Sequence, residues 1–350
     1  MTKLHTYNTC DRHIKHRLHL NETDSTVIQP LQTCFEEEFA RISIYPDPEN
    51  RTATEKIAHY YRLSPDQLLM GNGVDEIILL ICLTFLQYGG QALLSASTFP
   101  GYQTAARLVG GHCLWVPLDA GRCDLQAYRQ RAGRGVALAF LCNPHNPTGT
   151  VMDRQAVTAF IECMNRHDII PIVDEAYIHF AGEERCSVLP AIRQGARAIM
   201  LRTFSKAFGL AGIRVGFAAG PADVIAAVAR SAQALPFRVN RFAQRLAAEV
   251  LTLGAVDATV ARVRGWLRGI MTAFDAAGIP YMPSAANFIC FKPPYGSEAL
   301  LARAQTNATR VRDCAPFGMP GWIRASIGHE SDRDNLLALL RLPGAAVVEP

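Results

Sequence analysis

The chain has 350 residues, enough for a substantial core and for more than one lobe. Hydrophobic residues make up 49% and charged ones 19%, with no apolar run of membrane-spanning length and no low-complexity tract, so a soluble globular protein without a membrane partner is expected. The formal charge of +4 is not gathered into long runs, which gives no case for nucleic acid and suits small anions equally well.

The opening stretch MTKLHTYNTCDRHIKHRLHL is basic and carries several histidines, but it lacks the apolar centre and small-residue cleavage site of a secretory signal. It is read as part of the fold or as an arm. Ten cysteines scattered from Cys10 to Cys314 without a CxxC pair fit small buried hydrophobes in a reducing compartment, here the cytoplasm, and neither a disulfide framework nor a metal site is expected. NRTATEKIAHYYRL reads as a helix with Asn50 or Thr52 near its cap. From about Gly71 onward, the runs QALLSAS, GVALAFLC, DIIPIVDE and RAIMLRTF alternate with helical patterns, the order of crossover units in a mostly parallel, covered sheet. The long segment from Asn240 to Gly278 reads as two consecutive helices broken near Gly254. ANFICFK and GWIRASIG are strand-like, and ESDRDNLLALLRL is a closing helix with Ser331 as a possible cap. This places a second, smaller α+β lobe in the C-terminal third, joined by the N-terminal residues.

Four loops lie at strand ends or helix starts, where open parallel sheets bind ligands. In MGNGVDEIILL, Gly71 and Gly73 permit a tight turn before an apolar helix whose first N–H groups suit a phosphate; a plain capped turn with Asp75 in the first helical turn is the commoner explanation. In CNPHNPTG, two Asn-Pro steps and a glycine force a rigid turn that fixes an amide such as that of Asn146. IVDEAY sets Asp174 at the end of an apolar strand, as a helix cap or as a buried acid in need of a cation, with Tyr177 three residues on. RTFSKAFGLAGIR puts Lys206 just past a strand. There it is either a solvated residue closing the strand or a desolvated amine that loses its proton and becomes a nucleophile.

Taken in order, LNE at Leu20, YPDP at Tyr45, GNGVDE, CNPHNPTG, VDEAY, RTFSKAFGLAGIR and IRASIG resemble the fold type I aminotransferase superfamily that uses pyridoxal 5′-phosphate, and most closely its histidinol-phosphate aminotransferase family. The resemblance covers nearly the whole chain. It implies a large cofactor-binding domain over 45–245 with a mostly parallel sheet. A small domain is implied over 1–44 and 246–350, with an N-terminal arm. It implies that Lys206 bonds the cofactor and shuttles a proton, that Asp174 pairs with the pyridine nitrogen, and that Asn146 and Tyr177 contact the phenolic oxygen. Tyr102 of TFPGY would stack on the ring, and Gly73, Val74, Asp75, Ser205 and Arg214 would hold the phosphate. Tyr45 resembles the tyrosine that reaches a neighbouring subunit's phosphate, which implies a homodimer. Arg324, and with it Arg312 or Arg310, resemble the residues that grip the substrate's anion.

The chain departs from the family where Asn-Glu-Asn-Pro is usual: NETDST keeps only Asn21 and Glu22, Asn21 being the expected substrate contact. Val74 replaces a small or hydroxylated residue, and Arg238 in PFRVNRFAQ is expected to add positive charge near the site. The implied reaction is transamination between an anionic amine such as L-histidinol phosphate and a 2-oxo acid such as 2-oxoglutarate, in amino acid biosynthesis. The alternatives are a decarboxylase similar to threonine-phosphate decarboxylase, an aminotransferase of secondary metabolism, and a non-catalytic cofactor-binding protein.

Overall fold

The computed structural model describes residues 14–24 and 28–343. Expectations for the first thirteen residues, Cys10 included, lie outside the described residues. The strands in chain order are β1 (His16–Leu18), β2 (Leu68–Gly71), β3 (Gln91–Ser95), β4 (His112–Val116), β5 (Leu118–Asp119), β6 (Arg122–Cys123) and β7 (Val136–Cys142). They continue with β8 (Ile170–Asp174), β9 (Ile199–Thr203), β10 (Gly216–Ala219), β11 (Tyr281–Met282), β12 (Phe288–Phe291), β13 (Thr309–Asp313) and β14 (Ile323–Ser326).

Seven strands form one sheet in the order β2-β10-β9-β8-β7-β3-β4, in which β10 runs antiparallel to both neighbours and every other pair is parallel. Its inner strands are short, largely apolar runs because both faces are covered, whereas the edge strand β4 is partly exposed. Successive residues alternate between the covers: Leu93, Ala139, Leu141 and Val173 pack with Val157, Phe160 and Ile161 of the helix Arg154–Asn165. Leu94, Leu138, Phe140 and Ile172 pack instead with Ile77 and Ile81 of the helix Val74–Phe85 and with Ile225 and Val228 of the helix Ala222–Ala232. Leu31, Leu246 and Val250 belong to the first of these cores, which brings the helices Ile28–Phe39 and Arg241–Val250 onto that face.

The second sheet has the order β1-β13-β14-β12-β11, with β1 parallel to β13 and the rest antiparallel. The long helix Val256–Ala277 and the closing helix Glu330–Leu340 pack on it through Val263, Leu267, Ile270 and Phe274 and through Leu336 and Leu340. The break between the helices Arg241–Val250 and Val256–Ala277 includes Gly254 at φ 61°, a left-handed conformation that costs glycine little. Two cap expectations change. His329, whose Nδ1 accepts the Ser331 N–H at 3.1 Å, caps the closing helix in place of Ser331. Asn50 precedes the helix Arg51–Tyr60 in a left-handed conformation and makes no side-chain cap bond.

Sequential crossovers reverse direction between β3 and β7, so the loops after β3, β7, β8 and β9 open around one crevice at the carboxyl ends of the parallel strands. No described helix is long and apolar enough to cross a membrane.

Candidate active site

That crevice holds a cavity of about 330 Å³. Phe99 follows β3, Asn146 follows β7, Asp174 ends β8, and Lys206 lies three residues past β9. The N-terminal segment His19–Glu22, Arg312 of β13 and Arg324 of β14 complete the wall. The site thus joins both sheets and both ends of the described chain.

Asp174 is buried, and its carboxylate accepts the Tyr102 hydroxyl at 2.6 Å and the Ala176 N–H at 3.0 Å. Among the described residues no cationic side chain pairs with it. Burial raises its pKa to about 6, against the Tyr102 hydrogen bond, which acts to lower it. Lys206 Nζ donates to the Leu20 carbonyl at 2.9 Å. Burial, then the positive charge of Arg324, lowers its pKa to about 8, with Glu22 and Asp75 opposing.

On another side of the cavity, the helix Val74–Phe85 starts behind Gly73. Arg214 lies across this helix start, with Nη2 donating to Asp75 at 3.0 Å and Nη1 reaching Ser205 Oγ at 3.5 Å. Gly73 has φ 79°, a left-handed conformation that favours glycine, and a Cβ there would stand 2.5 Å from Arg214 Nη2 and displace the guanidinium. Helix N–H groups, a guanidinium and a hydroxyl together make an anion cradle.

Tyr177 and Asn146 face the same space. The Tyr177 hydroxyl accepts from Asn21 Nδ2 at 2.9 Å. Asn146 Oδ1 accepts from Arg324 Nη1 at 2.5 Å, while Arg324 Nη2 donates to the His19 carbonyl at 2.8 Å. Arg312 pairs in register with Arg324 across β13 and β14 and lines the cavity; Arg310 is not on its wall.

Two sequence expectations are corrected. Tyr102 does not face the cavity: it is fully buried, its hydroxyl goes to Asp174, and its ring stacks on Phe140 with centroids 4.8 Å apart. The aromatic ring that this segment presents to the cavity is Phe99. Arg238 is not on the wall either; it turns to Glu76, 3.4 Å away, and to the Met70 carbonyl at 2.5 Å, so its charge is spent within the protein. Tyr45 is 77% exposed and stacks on Phe237 at 4.5 Å, away from this cavity wall.

Reading the sequence also missed His19, and it missed Glu175 and Arg202 directly behind the site. Arg202 is buried and donates to Glu175 Oε2 through Nε at 3.0 Å and Nη2 at 2.8 Å, locking β9 to the segment that follows β8. The strand-end position of Glu175 beside Asp174 was the available signal.

A buried acid without a cation, a lysine with a depressed pKa and an anion cradle fit, respectively, a protonated ring nitrogen, an amine-reactive carbonyl and a phosphate. On a parallel sheet with this topology they define a pyridoxal-phosphate-dependent enzyme of fold type I. Residues 17–340 match the family described as aminotransferase class I and II, and the chain belongs to that family. It is 30% identical over 315 residues to histidinol-phosphate aminotransferase 2 of Carboxydothermus hydrogenoformans, an alignment covering 89% of this chain and 86% of that protein. The structure of histidinol-phosphate aminotransferase from Sinorhizobium meliloti in complex with pyridoxal-5′-phosphate superposes with a TM-score of 0.82 at 23% identity, covering 93% of this chain and 90% of that one. L-threonine-O-3-phosphate decarboxylase from Porphyromonas gingivalis has a TM-score of 0.79 at 22% identity, over 93% and 98% of the two chains. At such identities these two likenesses speak for the fold alone.

Proposed function

We propose that the protein transfers an amino group between an anionic amine, L-histidinol phosphate, and a 2-oxo acid such as 2-oxoglutarate. The observation that carries the choice of donor is the pairing of Arg312 and Arg324 on adjacent strands at the cavity wall. Two guanidinium forks suit a group that carries close to two negative charges at neutral pH.

When bound, pyridoxal phosphate supplies a carbonyl for the lysine amine and a ring that accepts electrons from the substrate's α-carbon. The protein's residues do the rest. Val74, Asp75, Ser205 and Arg214 hold the phosphate, with Gly73 keeping the approach open. Asp174 would keep a proton at the pyridine nitrogen, an assignment supported by its burial and by the absence of a cationic partner among the described residues. Lys206 Nζ, able to lose its proton near neutral pH, moves a proton to and from the substrate carbon. Asn146 and Tyr177 would hold the phenolic edge, and Phe99, which lines the cavity, would take the role first expected of Tyr102. Asn21 holds Tyr177 and so ties the N-terminal segment to the site.

The reading includes a cytoplasmic homodimer in which Tyr45 reaches the neighbouring subunit, supported by the exposure of Tyr45 and Phe237. It also includes a large cofactor-binding domain and a smaller one, supported by the two sheets; the packing of Leu31, Leu246 and Val250 on the large sheet supports counting the helices that carry them with the large domain.

The test is to mix purified holoenzyme with histidinol phosphate, threonine phosphate and common amino acids and follow the cofactor's absorbance together with carbon dioxide release. Conversion to the aminated cofactor with a kcat/KM highest for histidinol phosphate is the expected result. Carbon dioxide from threonine phosphate would make it a decarboxylase, and preference for an unphosphorylated donor would overturn the choice of substrate alone.

A further inference from the structure

Strand β1 runs parallel to β13, with Leu18 opposite Val311, so the next residue, His19, comes beside Arg312, which itself pairs with Arg324. His19, just past the end of β1, Arg312 of β13 and Arg324 of β14 therefore form a row, and all three line the cavity. His19 is 5% exposed, and neither ring nitrogen has a hydrogen-bond partner among the described residues. Its carbonyl accepts from Arg324, which fixes the backbone of His19 at the cavity wall. A buried imidazole with both nitrogens unmatched is costly unless a ligand completes it.

We propose that His19 is a substrate-contacting residue that reads the anion as a phosphate monoester, through a hydrogen bond to a phosphate oxygen that the arginines leave free. A planar carboxylate presents two oxygens, and one guanidinium fork can take both. A phosphate ester presents three terminal oxygens in a tetrahedral array, so a further donor at the edge of the row has something to bind only when phosphorus is present. The groups that face the ring are Arg17 on its own strand, Arg310 and Arg312 on β13 and Arg324 on β14; with burial as the largest cause, they hold its pKa down to about 3. It is therefore a neutral ring with one N–H until an anion arrives. A dianion beside it offsets these charges and favours a second proton.

The inference rests on the reading that the substrate is an anionic amine, and two measurements separate the fates of the two claims. The first uses holoenzyme, whose cofactor fills the cradle at Gly73, labelled with ¹⁵N-histidine and titrated with inorganic phosphate near pH 6. The His19 ring signals, identified by their loss in His19→Gln, should shift with phosphate, as for an N–H that gains an acceptor, and stay in place with acetate. The second is the ratio of kcat/KM for histidinol phosphate to that for an unphosphorylated amino donor. His19→Phe, which keeps a ring without a donor, should narrow this ratio about tenfold, and His19→Gln, which retains an N–H, should restore most of it. If wild-type enzyme ignores histidinol phosphate while phosphate still moves the His19 signals, the donor assignment falls and this inference stands. If histidinol phosphate is the preferred donor and the ring signals do not respond, or if His19→Phe keeps the full preference, the inference falls by itself.

Discussion

Tyr102 donates its hydroxyl hydrogen to Asp174 Oδ2 at 2.6 Å from a fully buried position, so this tyrosine holds the acid in place and stays off the cavity wall. The hydrogen bond favours the charged carboxylate against burial. Tyr102→Phe should raise the Asp174 pKa further and weaken cofactor binding about tenfold, at the lower end of what a hydrogen bond to a charged group is worth. An absorbance titration of apoprotein with pyridoxal phosphate measures it; unchanged affinity would show that the tyrosine serves packing only.

Asp174 itself makes the apoprotein sensitive to pH. Its folded pKa of about 6 lies above the ordinary carboxylate value of 3.8, so ionising it costs the folded state more than the unfolded one. Its stabilising share is complete below about pH 4 and is lost as pH rises through 6, a difference of about 3 kcal/mol at neutral pH. Without cofactor, Asp174→Asn should therefore unfold at higher denaturant than wild type at pH 8 and gain nothing at pH 4. With cofactor, the order at pH 8 should reverse, because the carboxylate then has a cation. Equal midpoints for the two apoproteins at pH 8 would contradict the burial argument.

Lys206 should titrate near 8 in the apoprotein, well below an ordinary lysine, because burial and Arg324 both disfavour its charge. Labelling of apoprotein by an amine-directed reagent at Lys206, read by mass spectrometry, should rise with a midpoint near pH 8. Removing a positive neighbour raises a lysine pKa, so Arg324→Gln should move the midpoint upward. A midpoint near 10.5 in both proteins would mean that the amine is solvated. Lys206→Ala should abolish turnover while retaining cofactor through Asp174, Arg214 and the helix start.

The two arginines of the anion row should separate in kinetics. Arg324 is buried and bonded to Asn146 and to the His19 carbonyl, so Arg324→Ala should damage every amino donor, each of which presents an anion. Arg312→Ala should act mainly on the phosphate ester. A charge-assisted contact of about 1.5–3 kcal/mol predicts at least a tenfold narrowing of the preference in kcat/KM. Parallel losses on phosphorylated and unphosphorylated donors would remove Arg312 from the anion.

Much of this was legible beforehand. Strands β3, β7, β8 and β9 stand out because both faces are buried and most of their residues are apolar, and Asp174 and Lys206 stand out because a charge at or just beyond the end of such a run is expensive unless used. Strand β13 did not stand out, since Arg310 and Arg312 interrupt it. Phe99 and Tyr102 occupy one turn, and which ring meets the cavity depends on the helix beginning at Pro100, which leaves Phe99 as the cap residue. Arg238 was misplaced because its partner, Glu76, lies far away in sequence, and local pattern carries no information about such pairs.

The parallel pairing of β1 with β13 has a consequence for how the protein is made. One wall of the cavity comes from residues 19–22 and another from residues 312 and 324, so the ribosome must have finished nearly the whole described chain before the two can meet. Sheet pairings between such distant segments form late, since the loop between them must first be closed. The seven-stranded sheet, with Asp174, Lys206 and the helix start at Val74, can be complete while His16–Leu18 still waits for its partner strand. In that order of events the residues proposed to hold pyridoxal phosphate would be in place before Arg312 and Arg324 meet the segment that carries His19.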